Sequence, residues 1–178
     1  MRKIVAGLFV SMDGVVEAPE KWHFPYLNEE MTAAVGQMYA EADILLMGRT
    51  TYETFAASWP HRSGELADAI NGIHKLVAST TLDTSDWNNT TVIDGDVVTT
   101  LKEIKGRPGG NIVLVGSISL TRSLLQAGLI DELRLQVHPI VLGTGMRLFT
   151  EETGRVPLKL TRSTAFATGV LDLTYQPA

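Results

Sequence analysis

Leu45-Leu46-Met47-Gly48-Arg49-Thr50-Thr51-Tyr52-Glu53 is an apolar strand that ends on a glycine and passes at once into a helix start. Thr50 and Glu53 stand at the spacing of a capping box, which predicts that the helix opens there. Capping explains neither Gly48 nor Arg49. A glycine lets a ligand approach the backbone, unpaired amides at a helix N-terminus attract phosphate, and a guanidinium grips a second phosphate bidentately. The stretch therefore predicts a strand-to-helix junction with an anion site at its turn. A second junction of the same kind runs Val113-Leu114-Val115-Gly116-Ser117-Ile118-Ser119-Leu120, and a third, Val77-Ala78-Ser79-Thr80-Thr81, ends an apolar run on three hydroxyls. Crevices at the carboxyl ends of strands are where open α/β sheets bind nucleotides. Neither a full Gly-x-Gly-x-x-Gly nor a Walker A pattern is present, which disfavours an ordinary Rossmann or P-loop site.

Outward from these junctions, strand-length apolar runs recur at Ile4 to Val10, Ile44 to Met47, Leu76 to Ala78, Val92-Ile93 and Ile112 to Val115. Helix-like stretches lie between them: Asn28 to Ala42 carries Met31, Val35 and Met38 at helical spacing, and Leu120, Leu124 and Leu125 do the same later. Such alternation predicts a mostly parallel sheet with crossover helices. The last third changes character. Glu132 to His138 alternates strictly, and Leu158 to Phe166 and Val170 to Tyr175 are separated only by Ala167-Thr168-Gly169, a terminal antiparallel hairpin. No linker or repeat divides the chain, so residues 1–178 are expected to form a single domain, with Gly106 to Gly110 a loop inside it.

Composition narrows the function. The 178 residues suffice for one α/β core, and 44% hydrophobic with 20% charged residues is an ordinary globular mix. A formal net charge of −5 argues against a nucleic-acid partner, which needs clustered Lys and Arg. The absence of cysteine excludes disulfides, thiolate metal sites and cysteine nucleophiles. The four histidines show no ligand spacing, so no metal is expected; His74 and His138 read as structural and His23 as an exposed loop residue. The opening apolar run is too short for a leader with a cleavage site, and nothing downstream is long enough to span a bilayer. A cytoplasmic location without membrane attachment is expected.

The chain resembles the dihydrofolate reductase-like proteins, and within them the branch similar to the C-terminal reductase domain of the bifunctional riboflavin-biosynthesis deaminase-reductase. The resemblance spans nearly the whole chain. It rests on Ser11-Met12-Asp13-Gly14, on Met47 to Glu53, on Gly116 to Leu120, on Leu124 to Leu133 and on His138 to Phe149. It implies a three-layer α/β fold, a mostly parallel central sheet with helices on both faces and the antiparallel hairpin at its C-terminal end.

It also implies NADPH. Carried over by position, Ala6 and Val16 flank the nicotinamide; Arg49, Ser79 and Thr80 hold the adenosine 2′-phosphate; Gly48, Thr50 and Thr51 approach the pyrophosphate from one helix and Gly116, Ser117, Ile118 and Leu120 from the other. The family has paired glycines at that second turn, often with a cis peptide; Gly116-Ser117 here leaves the cis peptide open. Lys21-Trp22-His23-Phe24-Pro25 looks like the mobile loop over the nicotinamide. True folate enzymes carry a carboxylate two residues past that proline, and Leu27 stands there, so dihydrofolate is not the expected substrate.

Substrate-side candidates are Trp22, Phe24, Tyr52 and Phe55, with Trp22 and Phe24 also readable as lid packing and Phe55 as core. Asp13 is the one candidate for arranging proton delivery, against a plain turn role for Asp13-Gly14. The expected reaction is NADPH-dependent reduction of a C=N or C=O bond in a small heterocyclic or sugar-derived molecule. Two alternatives stand beside it: the riboflavin-pathway reductase acting on a phosphoribosylamino-pyrimidine, and a non-catalytic nucleotide-binding or ligand-sensing homodimer. A purely structural domain leaves Gly48-Arg49 and the hydroxyl-rich strand ends unexplained. The resemblance also implies a homodimer with the C-terminal strands in its interface, for which Phe166, Leu171, Leu173 and Tyr175 are the available anchors; the alternative is that these four fill the monomer's own core.

Overall fold

A strand buried on both faces needs apolar residues at every position, and the continuous runs of this chain meet that demand. A computed structural model of the protein describes residues 1–82 and 85–178. In chain order the elements are β1 (Ile4–Ser11), α1 (Glu29–Ala40), β2 (Ala42–Gly48), α2 (Arg49–Ser58), α3 (Glu65–Gly72), β3 (His74–Ala78), β4 (Thr90–Val92), α4 (Val97–Gly106), β5 (Asn111–Val115), α5 (Ile118–Gln126), β6 (Glu132–His138), β7 (Leu158–Ala165) and β8 (Leu171–Pro177). The strands form one eight-stranded sheet in the order β4-β3-β2-β5-β1-β6-β8-β7. Every pairing from β4 to β6 is parallel, and β8 and β7 close the sheet antiparallel.

Right-handed crossovers in this order place α1, α2 and α3 on one face and α4 and α5 on the other. Burial agrees residue by residue. Val5, Leu45, Met47, Val77 and Val113 pack with Met38, Tyr39, Tyr52 and Ile70 from the first three helices. Their alternates Ile4, Ala6, Ile44, Leu46, Leu76, Ile112 and Leu114 pack with Leu101, Leu124 and Leu125 from the last two. The fold is the three-layer, dihydrofolate-reductase-like α/β arrangement. Gly7 makes the α1 layer fit, because a Cβ there would stand 2.6 Å from the Met38 sulfur.

Several element ends differ from the sequence reading for local reasons. Helix α1 starts at Glu29 because the Asn28 side chain caps it, accepting from the Met31 amide at 3.0 Å. The capping box expected at Thr50 and Glu53 does not form: α2 opens two residues earlier with Gly48 as N-cap, and Glu53 pairs with Arg49 at 2.7 Å instead. Helices α3 and α4 were not anticipated although both carry apolar residues at helical spacing, Val97, Val98, Leu101 and Ile104 in α4 among them, and Asp96 caps α4 through the Thr99 amide at 2.8 Å. The fully buried Lys75 also escaped the sequence reading; its ammonium donates to the carbonyls of Asn71, Ile73 and Asn88 and lies over Trp87.

Candidate functional site

Because β1, β2, β3, β5 and β6 run parallel, Ser11, Gly48, Ala78, Val115 and His138 all end at one edge of the sheet. The chain moves from β1 toward β2 and β3 on one side, then returns through β5 and crosses β1 to β6 on the other. Strand β5 thus sits where the winding reverses, the position at which such sheets open a crevice.

The first two junctions meet in that crevice. The Ser117 hydroxyl accepts from the Gly48 amide at 2.8 Å and contacts the Thr51 hydroxyl at 2.9 Å, while the Ser117 amide donates to Thr51 Oγ1 at 2.9 Å. The Ser117 hydroxyl, at the position expected to open a helix, makes no cap bond and binds the neighbouring junction instead. Gly116 and Ser117 both adopt left-handed backbone, with φ of 54° and 47°, and no described peptide bond is cis. A Cβ on Gly116 would stand 3.1 Å from Thr51 Oγ1, so close approach as well as conformation selects glycine there. Gly48 is different. Its φ of −80° suits any residue and a Cβ would meet only Ser117, at 3.6 Å. Packing therefore does not demand glycine at 48, whereas a ligand lying against the backbone would.

The third junction lies beside the first. Arg49, Ala78, Ser79, Thr80, Thr81, Gly95 and Val97 line a cleft of about 330 Å³. Arg49 is half-exposed, held by Glu53 and by a 2.6 Å bond from its guanidinium to Thr81 Oγ1. Ser79 accepts from the Thr81 and Leu82 amides at 3.2 and 3.0 Å, which fixes the turn. One guanidinium, three hydroxyl residues and the start of α2 thus converge on a single concavity, the donor set that suits a phosphate monoester. The side chains of Ile118 and Leu120 pack on the core, so α5 offers the crevice its first-turn amides, ahead of the first intrahelical bond from Thr121 to Ser117. Ala6 and Val16 belong to that same apolar cluster.

At the β1 end, Asp13 organises a loop. Its carboxylate accepts from the Ser11 hydroxyl at 2.7 Å and from the Leu142 and Gly143 amides at 3.1 and 2.9 Å, with Arg147 alongside at 3.6 Å. The Ser11 hydroxyl and these amides hold its carboxyl down to about 2. The Asp13 carboxylate is thus engaged by the loop it faces, and Asp13-Gly14 lies in a turn closed by the Gly14 amide donating to the Ser11 carbonyl at 3.0 Å. Glu17 extends the same clasp by accepting from the Met146 amide at 2.8 Å.

Four aromatic side chains then surround His138, with ring centroids at 5.1 Å for Trp22, 5.5 Å for Phe9 and Tyr26 and 6.3 Å for His23. Trp22 is buried and anchored through Nε1 to the Glu17 carbonyl at 2.9 Å, while Phe24 is exposed against His23. His23, expected to be exposed, is buried, and burial pushes both its imidazole and that of His138 below the usual range. The sequence reading missed this group. The available signal was the position of His138, at the end of an alternating strand and level with Ser11 on β1.

Tyr52 and Phe55 do not join Trp22 and Phe24. Tyr52 packs under α2 with its hydroxyl accepting from the Trp87 amide at 3.3 Å, and Phe55 packs at a tilt against Trp59. Tyr52 borders a separate cleft of about 530 Å³ with Glu53, Pro60, Asp86 and Trp87. Among the described residues no cluster of His, Asp and Glu suits a metal, and no helix is long and apolar enough to cross a membrane.

The topology and the crevice define a dihydrofolate-reductase-like domain with a phosphate-suited cleft at its strand ends. The chain belongs to the RibD C-terminal domain family, whose model matches residues 2–171. It is 29% identical over 182 residues to the Bacillus subtilis protein YyaP, covering 98% of this chain and 94% of that one, and 27% identical over 175 residues to YwjB of the same organism, covering 95% of each. In structure it is similar to a putative riboflavin biosynthesis protein from Shewanella sp. PV-4, with a TM-score of 0.79, 20% identity and 99% of both chains covered. It is also similar to a pyrimidine reductase-like protein from Corynebacterium diphtheriae, with a TM-score of 0.73, 13% identity and 99% and 92% of the two chains covered. Acinetobacter baumannii RibD gives a TM-score of 0.66 at 17% identity, covering all of this chain and 58% of that one.

Proposed function

We propose that the protein is an NADPH-dependent reductase acting on a C=N or C=O bond of a small heterocyclic or sugar-derived molecule. The observation that carries this reading is the convergence of Arg49, Ser79, Thr80 and Thr81 on one cleft beside the interlocked Gly48 and Gly116-Ser117 turns. Arg49 and the Ser79–Thr81 turn would hold the 2′-phosphate. The close backbone approach at Gly48 and the first turns of α2 and α5, through Thr50, Thr51, Ile118 and Leu120, would hold the pyrophosphate. Ala6 and Val16 would border the nicotinamide. Bound there, the cofactor supplies the hydride, and the protein's part is orientation and exclusion of water. Asp13 contributes by holding residues 142–147, and the proton comes from water or from the substrate itself.

Membership in the RibD C-terminal domain family favours one specific version of this reading, in which a phosphoribosylamino-pyrimidine is reduced. Dihydrofolate is excluded from the proposal because Leu27 offers no carboxylate, Asn28 is spent as a cap and Glu30 accepts from the Ala167 amide at 2.7 Å. A closed two-fold homodimer is part of the proposal, with its interface on the β8 and β7 end of the sheet. The test is loss of NADPH absorbance across a panel of imines, carbonyls and phosphoribosylamino-pyrimidines, with dihydrofolate included. Turnover of at least one panel member and none of dihydrofolate is expected. Cofactor binding with no turnover of any acceptor would replace the reductase by the nucleotide-sensing alternative.

A further inference from the structure

Arg49 is the first residue of α2, and a cation there opposes the helix dipole, which favours anions in the first turn. Its partner Glu53 stands four residues later, so the pair also runs in the less favourable of the two possible orders. Both side chains are about half-exposed, and an exposed pair of this kind adds little to stability. Helix stability therefore accounts for neither charge.

The pair lies between two clefts. Arg49 lines the smaller one with Ser79, Thr80 and Thr81, while Glu53 lines the larger one with Asp86 and Trp87. Glu53 Oε1 accepts from Arg49 Nε at 2.7 Å and Thr81 Oγ1 accepts from Nη1 at 2.6 Å, so the guanidinium is neutralised and aimed before any ligand arrives. On its other side the Glu53 carboxylate borders the larger cleft, but Asp86 borders it too, and two carboxylates drawn together repel. Glu53 is thereby kept on Arg49.

A phosphate monoester entering the smaller cleft meets an arginine whose own carboxylate stands 2.7 Å from it, and the two anions compete for one cation. A ribose hydroxyl in the same place meets no such competition. Arg49 then keeps the partner that a missing phosphate would otherwise deny it, so the usual penalty for an unpaired group does not arise.

We infer that Glu53 sets the degree of cofactor discrimination through Arg49: it weakens the grip on a 2′-phosphate and leaves the guanidinium paired when a 2′-hydroxyl takes its place. The cleft accordingly admits NADH as well as NADPH, with a narrowed gap between them. This deepens the reductase reading and rests on its placement of the 2′-phosphate at Arg49.

The test measures, by calorimetry on the full chain, the binding of adenosine 2′-monophosphate and adenosine 5′-monophosphate, which share ring and charge and differ in where the phosphate sits. Glu53→Gln keeps an oxygen for Arg49 Nε and removes the charge. It is expected to tighten the 2′-monophosphate by about three- to tenfold, as removal of a nearby like charge at a partly exposed site does, and to leave the 5′-monophosphate unchanged. That gain is expected to shrink as salt is raised from about 0.05 M to about 0.5 M, because the lost repulsion is screened. Glu53→Asp, which retains the charge, is expected to bind both nucleotides as the unaltered chain does, and the ligand-free unfolding midpoints of both variants to match it. No gain in Glu53→Gln, an equal gain for both nucleotides, or a gain indifferent to salt overturns the inference. Where Arg49→Ala weakens the 2′-monophosphate in the same experiment, the cofactor site of the reductase reading stands without it. A 2′-monophosphate that binds the unaltered chain and Arg49→Ala alike, or binds neither, overturns the inference together with that placement.

Discussion

At the scale of single residues, Ser117 shows how one hydroxyl joins two distant segments. It sits in left-handed backbone that costs an ordinary side chain roughly 1–2 kcal/mol, and its bonds to Gly48 and Thr51 offset that cost. Ser117→Ala keeps the backbone strain and removes the hydroxyl, so it is expected to destabilise the fold by about 1–2 kcal/mol in urea or thermal unfolding. An unchanged midpoint would mean that the interlock carries no weight. Asp13 gives the pH-dependent counterpart. Its folded carboxyl is depressed to about 2, so its support of the 142–147 loop is complete above the usual carboxylate value near 4 and is lost as pH falls toward 2. Hydrogen exchange should accordingly find the Leu142 and Gly143 amides protected at pH 5 and unprotected at the acid end of that window, and unprotected throughout in Asp13→Ala. Protection in that variant at neutral pH would assign the loop's order to something else.

At the scale of elements, the parallel core was legible because each of its strands is a continuous apolar run, and both faces of β1, β2 and β5 are covered. The C-terminal hairpin was legible from alternation around a three-residue turn. The crevice where the strand ends meet was legible for a related reason: hydroxyls and glycines clustered at strand ends are local in sequence, and topology alone brings those ends together. The aromatic group around His138 was not, because Phe9, Trp22, Tyr26 and His138 are assembled by β1–β6 pairing and by the clasp between residues 13–17 and 142–147. No short-range pattern reports such a clasp. The same limit hid that Tyr52 lies apart from Trp22 and Phe24. Helix α2 puts it one turn past Gly48, and the side it faces depends on α3 and Trp87 rather than on the motif that contains it.

At the scale of the whole molecule, the sheet ends on a long exposed strand. Strand β7 lies at the end of the sheet with nearly all of its residues exposed, and Leu160 and Leu171 are 47% and 41% accessible. Leu171, Leu173 and Tyr175 share the face of Leu133, Leu135 and Val137, which continues the core outward beyond α5. Of the four anchors expected from sequence, Phe166 is instead buried within the chain beside Met31 and Val170. An uncovered edge with an apolar face invites association, and charge at its centre opposes it. Light scattering at micromolar concentration is expected to report twice the 19.4 kDa chain mass, and Leu171→Asp to shift it toward the monomer. A monomeric mass for the unaltered chain at high micromolar concentration would reject the dimer.

The most direct measurement of the central claim is calorimetric titration of NADPH and NADH into the unaltered protein and into Arg49→Ala. Tighter binding of NADPH than of NADH is expected, and the variant should lose about 1.5–3 kcal/mol toward NADPH alone, the worth of a charge-assisted contact to a phosphate that NADH lacks. Absence of NADPH binding, or equal weakening of both cofactors by the substitution, would contradict it.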